Sequence, residues 1–374
     1  MSRWSAWLGT QASDRDALGL TRTLNPRRVD DDTLDLAGND YLGLSRDPVV
    51  TRAAAHATLT WGAGSGASRL VTGTLSLHDE LERELAAFTG HESALVFSTG
   101  YHANLSVVTA LADREALVVS DAHVHASLID ATRLSRAAFR VTAHNDVATV
   151  QQALAGAGDR RCLVLAESVY SVLGDAAPLA ELAATCADHD ALLVVDEAHG
   201  LGVVGSGGRG LVHELGLAGH PNVVVTATLS KALAAQGGVV LGPAELRDHL
   251  VNRARPFIFD TALAPAPAAG ALAALGLLRS GPGLPEVIRR RVAALGSSLG
   301  VTLPVGAVLS VPMTSPTTGL SHQAALLAEG IRVGCFRPPS VPDGVSRLRI
   351  TCNAGLAEAD WERAVEAIVK VVRG

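Results

Sequence analysis

Between residues 94 and 242, short runs of β-branched and aliphatic residues alternate with stretches of helical periodicity, a pattern that only a parallel sheet wrapped by helices satisfies easily. The runs fall at 94–98 (ALVFS), 116–120 (ALVVS), 162–166 (CLVLA), 191–195 (ALLVV) and 222–226 (NVVVT), with a further VVLG after Gly237 and Gly238. From about Pro256 the pattern changes. A helix expected over 264–279 leads to the shorter strands VLSVPM and RLRITC and to a closing helix from Leu356. The expected fold is therefore α/β, with a mostly parallel sheet in a large domain over 46–255, a smaller α+β C-terminal domain over 256–374, and an N-terminal segment over 1–45.

Ligands of such sheets bind outside the carboxyl ends of the strands, so the residues after each run carry the functional information. Ser98-Thr99-Gly100-Tyr101-His102 follows the first, Asp121-Ala-His123-Val-His125 the second and Glu167-Ser168-Val-Tyr170-Ser171 the third. Asp196-Glu197-Ala-His199 and Thr228-Leu-Ser230-Lys231 follow the fourth and fifth. All five converge on one rim in a parallel arrangement.

Of 31 lysines and arginines, only Lys231 and Lys370 are lysine. Lys370 sits in the last turn of the closing helix, where a cation complements the helix dipole. Lys231 lies in an apolar run. A lone lysine can snorkel to solvent, but one at a sheet rim among polar groups suits covalent chemistry through an imine, because desolvation makes the amine nucleophilic. Asp196 ends an apolar strand and needs either a turn N–H or a cationic partner. A protonated pyridine nitrogen would be such a partner, as in pyridoxal phosphate (PLP) chemistry. The turn opened by Ser98 and Thr99 can offer backbone N–H groups to a phosphate, and the hydroxyls of Thr228 and Ser230 can join it. His125 and His199 are candidates for stacking on the ring and for bonding its phenolic oxygen.

Rival motifs lose on context. VVDEAH resembles the metal-binding strand of a nucleic-acid-dependent NTPase, but neither lysine follows a glycine, so there is no phosphate-binding G-x-x-x-x-G-K-[ST] loop. The net charge of −6 also gives no basic surface for nucleic acid. Gly205-x-Gly207-x-x-Gly210 lacks the acidic residue that a ribose needs about 20 positions on, and Gly296-Ser-Ser298-Leu-Gly300 follows a helix where a nucleophile elbow follows a strand. No metal site is expected. The four cysteines show no C-x-x-C spacing, which suits a reducing cytoplasm. The charged N-terminus argues against a secretory signal, and the uncharged stretch from Thr261 to Leu278, broken by Pro265 and Pro267, argues against a membrane span.

Taken together, Asn39-Asp40-Tyr41-Leu42-Gly43-Leu44, Gly64-Ser65-Gly66-Ala67-Ser68-Arg69, Asp121-x-x-x-His125-Ala-Ser127, Asp196-Glu197-Ala198-His199-Gly200 and Thr228-x-x-Lys231 resemble the α-oxoamine synthases. These are fold-type I PLP-dependent transferases that join an amino acid to an acyl thioester. The resemblance implies Lys231 as the Schiff-base lysine, Asp196 on the ring nitrogen and His125 stacked on the ring. It further implies Ser171 and His199 at the phenolic oxygen, Thr228 at the phosphate, and Gly100 and Tyr101 beside the cofactor. Lys231, His125, Asp196 and His199 are the implied catalytic set. Arg22, Asn39, His125, Arg337, Ser340 and Arg349 are the implied substrate contacts. The segment Arg337 to Pro342 and the compact N-terminus point, within the family, to members that use L-alanine and a pimeloyl thioester; sister members take glycine or serine with another acyl group. A homodimer is also implied. Val172-Leu173 stands where the family commonly has Met-Asp, a departure confined to the loop after Ser171.

Overall fold

The computed structural model describes all residues except Met1, Gly19, Pro282, Pro339, Ser340 and Pro342. It divides into two compact units, Met1–Thr33 and Leu34–Gly374. The first contains an exposed helix, Arg3–Ala17, capped by Ser2, and its other described residues form no further helix or strand. Everything below concerns the second.

Its centre is a seven-stranded sheet in the order β2-β8-β7-β6-β5-β3-β4. The strands are β2 (Ser93–Phe97), β3 (Ala116–Asp121), β4 (Ala138–Thr142), β5 (Arg161–Glu167), β6 (Leu192–Asp196), β7 (Val223–Thr228) and β8 (Gly238–Gly242); β1 (Leu34–Leu36) lies outside this sheet. Only β8 runs against its neighbours. The interior strands are buried along their length, as uninterrupted aliphatic runs require when helices cover both faces. Successive residues alternate between two cores: Leu117 and Val119 join one with Val195, while Val118 joins the other with Leu165 and Val194.

The expected strands are all present, and three more appear. Strand β4 is a sheet edge with exposed Phe139 and Val141, so its sequence AFRVT carries no buried apolar run to betray it. Strand β1 pairs parallel to β10 (Ile331–Phe336), nearly 300 residues away. With β9 (Val308–Pro312) and β11 (Arg347–Thr351) these form a second, four-stranded sheet in the order β1-β10-β11-β9. Helices Pro265–Ser280 and Leu284–Leu299 lead into that sheet, and Glu358–Arg373 closes the chain. Among the described residues no helix is long and apolar enough to cross a membrane.

Candidate active site

The register of the sheet brings the polar strand ends together. Glu167 at the end of β5 lies opposite Asp196 at the end of β6, and Asp196 lies opposite Thr226 of β7. A cavity of about 260 Å³ opens above them, lined by Gly100, Tyr101, His125, Asp196, His199, Thr228, Ser230 and Lys231, together with Asn104, Ser127 and Glu167.

At one end, helix Gly100–Leu111 begins with Thr99 as its N-cap, the Thr99 hydroxyl accepting from the His102 N–H at 3.0 Å. This helix start is pressed against β7 and β8. A Cβ on Gly238 would lie 2.3 Å from the Thr99 carbonyl oxygen, so that position needs glycine for space, and one on Gly100 would lie 3.0 Å from the Thr228 Cβ, a tight contact that Thr228 would have to relieve. The Thr228 and Ser230 hydroxyls are 2.6 Å apart beside it. Free N–H groups at a helix start next to two hydroxyls form a cradle for a phosphate.

On the floor, Asp196 Oδ1 accepts from the Ala198 N–H at 2.8 Å, the turn-capping contact, and Oδ2 accepts from Asn104 Nδ2 at 2.7 Å. The other Asn104 amide hydrogen goes to Ser127 Oγ at 2.8 Å, and Asn104 Oδ1 accepts from the Thr226 hydroxyl at 2.6 Å. Asn104 is thus a buried bracket that orients the Asp196 carboxylate. A second shared hydroxyl completes the chain: Ser127 Oγ accepts from Asn104, so it donates to His125 Nδ1 at 2.8 Å, and the Ser127 N–H points to the same nitrogen. His125 is therefore neutral with its proton on Nε2, in line with a pKa lowered by burial, against the pull of Asp196.

Lys231 sits on a second chain. Its Nζ is 2.8 Å from His199 Nε2; His199 Nδ1 is 2.6 Å from the Tyr41 hydroxyl, and that hydroxyl donates to Asn39 Oδ1 at 3.2 Å. Asn39 Oδ1 also accepts from Arg349 Nη2 at 3.1 Å. An oxygen that accepts from both Arg349 and Tyr41 settles every proton upstream. Tyr41, having donated its hydrogen, accepts from His199 Nδ1–H, which leaves Nε2 to accept from Lys231. His199 is held neutral, its pKa pushed well below the ordinary value by burial and by the Lys231 charge. Burial brings the Lys231 amine down to about 8, with Asp196 and Glu167 opposing. Glu167 is raised to about 8 by burial and by the Asp196 charge, and one of its oxygens has no hydrogen-bond partner.

The remaining candidates lie around this core. Arg349, on β11, uses Nε on the Ser171 carbonyl at 2.8 Å and Nη1 on Thr351, so three of its N–H groups are engaged by protein, including that to Asn39. About two of the five donors of a guanidinium remain for a carboxylate. Ser171 is tied through its N–H to Glu167 Oε2 at 3.2 Å. Arg337 follows β10 and is partly exposed; Arg22 is exposed in the N-terminal unit; Ser340 lies outside the described residues. Asn104 is a site residue that the sequence does not point to, while Tyr41, Ser127 and Glu167 stand in the quoted motifs without an assigned role. The one local signal of Asn104 is a polar side chain within a buried stretch, four residues after Gly100.

The rival readings do not survive in three dimensions. Glu197 points away from the cavity, accepting from the Val212 N–H at 2.7 Å and the Leu211 N–H at 3.3 Å, and Gly296 lies inside the helix Leu284–Leu299. Among the described residues no cluster of His, Cys, Asp or Glu is arranged to hold a metal.

A lysine, an aspartate bracketed at the floor, a neutral histidine above it and a phosphate cradle at a helix start fit PLP. The chain belongs to the class I and II aminotransferase family, which it matches over residues 31–368. Within it, the chain is 54% identical over 368 residues to a protein of Mycolicibacterium vanbaalenii named 8-amino-7-oxononanoate synthase, covering 98% of this chain and 97% of that one. It is similar to a solved serine palmitoyltransferase of Sphingomonas wittichii, with 29% identity, TM-score 0.90, and coverage of 97% of this chain and 96% of that one. It is also similar to the 8-amino-7-oxononanoate synthase of Francisella tularensis, with 26% identity, TM-score 0.78, and 92% and 99% coverage. The cofactor of this fold and site is PLP.

Proposed function

We propose that the protein is a PLP-dependent acyltransferase that condenses L-alanine with a pimeloyl thioester to give 8-amino-7-oxononanoate, carbon dioxide and free thiol, a step in biotin biosynthesis. The observation that carries this reading is the 54% identity, over nearly the full length of both chains, to a synthase of that name. The sister reading, with glycine or serine as the amino acid, rests on more distant likeness of 29%.

When bound, PLP supplies an aldehyde that condenses with amines and a ring that takes up the electron pair freed at the amino acid α-carbon. The chain's residues do the rest. Asp196, braced by Asn104, holds the proton on the ring nitrogen. His125, a neutral imidazole lining the cavity, would cover the ring. The Gly100 helix start with Thr228 and Ser230 binds the phosphate, and His199 and Ser171 address the phenolic oxygen. The Lys231 amine, brought by burial to about 8, takes the α-proton and later returns one. A bond forms between the alanine α-carbon and the thioester carbonyl. The C–S bond breaks and the thiolate takes a proton; the bond to the alanine carboxylate then breaks as carbon dioxide, and its electron pair ends on a proton at the same carbon.

Asn39 and Arg349 receive a substrate carboxylate, while Arg22, Arg337 and Ser340 serve the acyl chain and its terminal carboxylate, in keeping with the bidentate geometry of arginine. The working division of the chain is an N-terminal segment to residue 45, a cofactor domain to 255 and a C-terminal domain. The active form is a homodimer in the cytoplasm; the four cysteines, all free, suit that compartment. The test is thiol release from pimeloyl thioester with L-alanine, glycine or serine as co-substrate. Release with alanine and formation of the nine-carbon amino ketone is the expected result; release only with serine or glycine assigns the chain to a sister activity.

A further inference from the structure

Beside the cofactor cavity lies a second polar cluster that the reaction does not use. His144, just after the edge strand β4, has Nδ1 2.9 Å from Asp121 Oδ1 and Nε2 2.8 Å from Asp175 Oδ2. Two carboxylates can only accept, so both ring nitrogens must carry hydrogen and the ring is an imidazolium. Asn145 doubles each link: its N–H reaches Asp121 Oδ2 at 2.8 Å, and its side-chain amide reaches Asp175 Oδ2 at 2.9 Å and the Ala176 carbonyl at 3.1 Å. The His123 ring stacks on His144 at 3.8 Å, and Tyr170 abuts it edge-on at 4.4 Å.

What this cluster joins gives it meaning. Asp121 ends β3 and receives the His123 N–H at 2.7 Å, so it fixes the start of the turn that carries His125 two residues later. Asp175 belongs to the loop that returns from Ser171, whose ends are tied by a bridge between Val169 and Ala176. Both arms that flank the cavity, one bearing His125 and the other Ser171, are thus bolted to the same imidazolium. We propose that His144 is a positioning residue for the cofactor: as a doubly paired cation it holds the His125 turn and the Ser171 loop at the spacing the ring needs. This inference rests on the PLP reading above.

The cluster is sensitive to pH in a defined direction. The two aspartates raise His144 to about 9 against the cost of burial. The other groups facing the pair are Tyr170, which is un-ionised because burial raises its pKa far above the ordinary value, and His123, neutral through burial and the charge of His144. Asp343 acts on His123 from the far side and is itself neutralised by Arg347. A group raised on folding holds its full contribution below its unfolded value near 6.5 and loses it as pH climbs through the folded value. The clamp is therefore intact at pH 6 and released above about 9.

The experiment compares wild type with His144→Gln and Asp175→Asn. Two readouts are taken: hydrogen exchange of residues 168–177 with and without PLP, and PLP affinity with its visible absorption between pH 6 and 10. Faster exchange of 168–177 in both variants is expected even without cofactor. A PLP affinity at pH 7 weakened on the order of tenfold, the lower end of what losing an outer-shell partner costs at metal sites, is also expected. Wild type should show a fall in affinity near pH 9 that His144→Gln lacks, while the Lys231 ionisation persists in both. Unchanged exchange, or unchanged affinity with the same inflection near 9, overturns the proposal. Should wild type bind no PLP at all, the functional reading fails, and the exchange measurement on the cofactor-free protein still decides whether the clamp exists.

Discussion

Replacing Tyr41 by phenylalanine tests the proton assignment from which the state of Lys231 follows. Tyr41 is fully buried, so the substitution removes one oxygen and leaves the packing intact. Two hydrogen bonds disappear and the His199 Nδ1–H loses its acceptor. A buried donor left unsatisfied costs about 1–3 kcal/mol. His199 can avoid most of that by moving its proton to Nε2, but the new N–H then faces Lys231, which can no longer donate there. On that second course the ammonium form of Lys231 loses its acceptor on His199. Loss of about 1.4 kcal/mol on that form equals one pKa unit, so the Lys231 ionisation should fall from about 8 by roughly one unit. The assay is the rate of PLP capture by cofactor-free protein as a function of pH, followed in the visible band. Wild type should inflect near 8 and Tyr41→Phe about one unit lower, with the thermal midpoint also reduced by a few degrees, about 1–2 kcal/mol. An unchanged inflection and an unchanged midpoint would refute the assigned chain from Arg349 to Lys231.

Other outcomes follow from the same geometry. Asn104→Ala orphans the Thr226 hydroxyl and one Asp196 oxygen in a buried site, and should destabilise the fold by about 2–5 kcal/mol in denaturant unfolding while weakening PLP binding. Gly238→Ala drives a Cβ to within 2.3 Å of the Thr99 carbonyl oxygen, so helix Gly100–Leu111 must shift and phosphate affinity should fall in a titration with PLP. Glu197→Ala strips the acceptor from the Leu211 and Val212 N–H groups; it should lower the thermal midpoint, and its effect on turnover at permissive temperature should be small beside that of Asp196→Ala.

The parts of the site that sequence displayed are those tied to a local pattern. A parallel sheet puts its functional groups after aliphatic runs, and Asp196, His199, Thr228 and Lys231 all stand there. The scarcity of lysine alone singles out Lys231. What remained hidden depends on partners distant in the chain. Asn104 lies 92 residues from Asp196 and 122 from Thr226, and nothing around it in the helix marks a bracket. Arg349 meets Asn39 across 310 residues, so its place in the chain leading to Lys231 exists only once β11 is packed against the first sheet's rim. Edge strand β4 was invisible because Phe139 and Val141 face solvent, and with it went the significance of His144. Glu197 shows the opposite error in waiting: two adjacent acids in one motif, one facing the cavity and the other a structural tie.

The most direct test is the visible absorption spectrum of purified wild type and Lys231→Ala after addition of PLP, followed by L-alanine and then pimeloyl thioester. Wild type should show the band of lysine-bound cofactor, a change on adding alanine, and thiol release on adding the acyl donor. Lys231→Ala should show neither the band nor turnover. A wild-type protein that develops no band, or a Lys231→Ala protein that keeps most of the activity, would contradict the account at its centre.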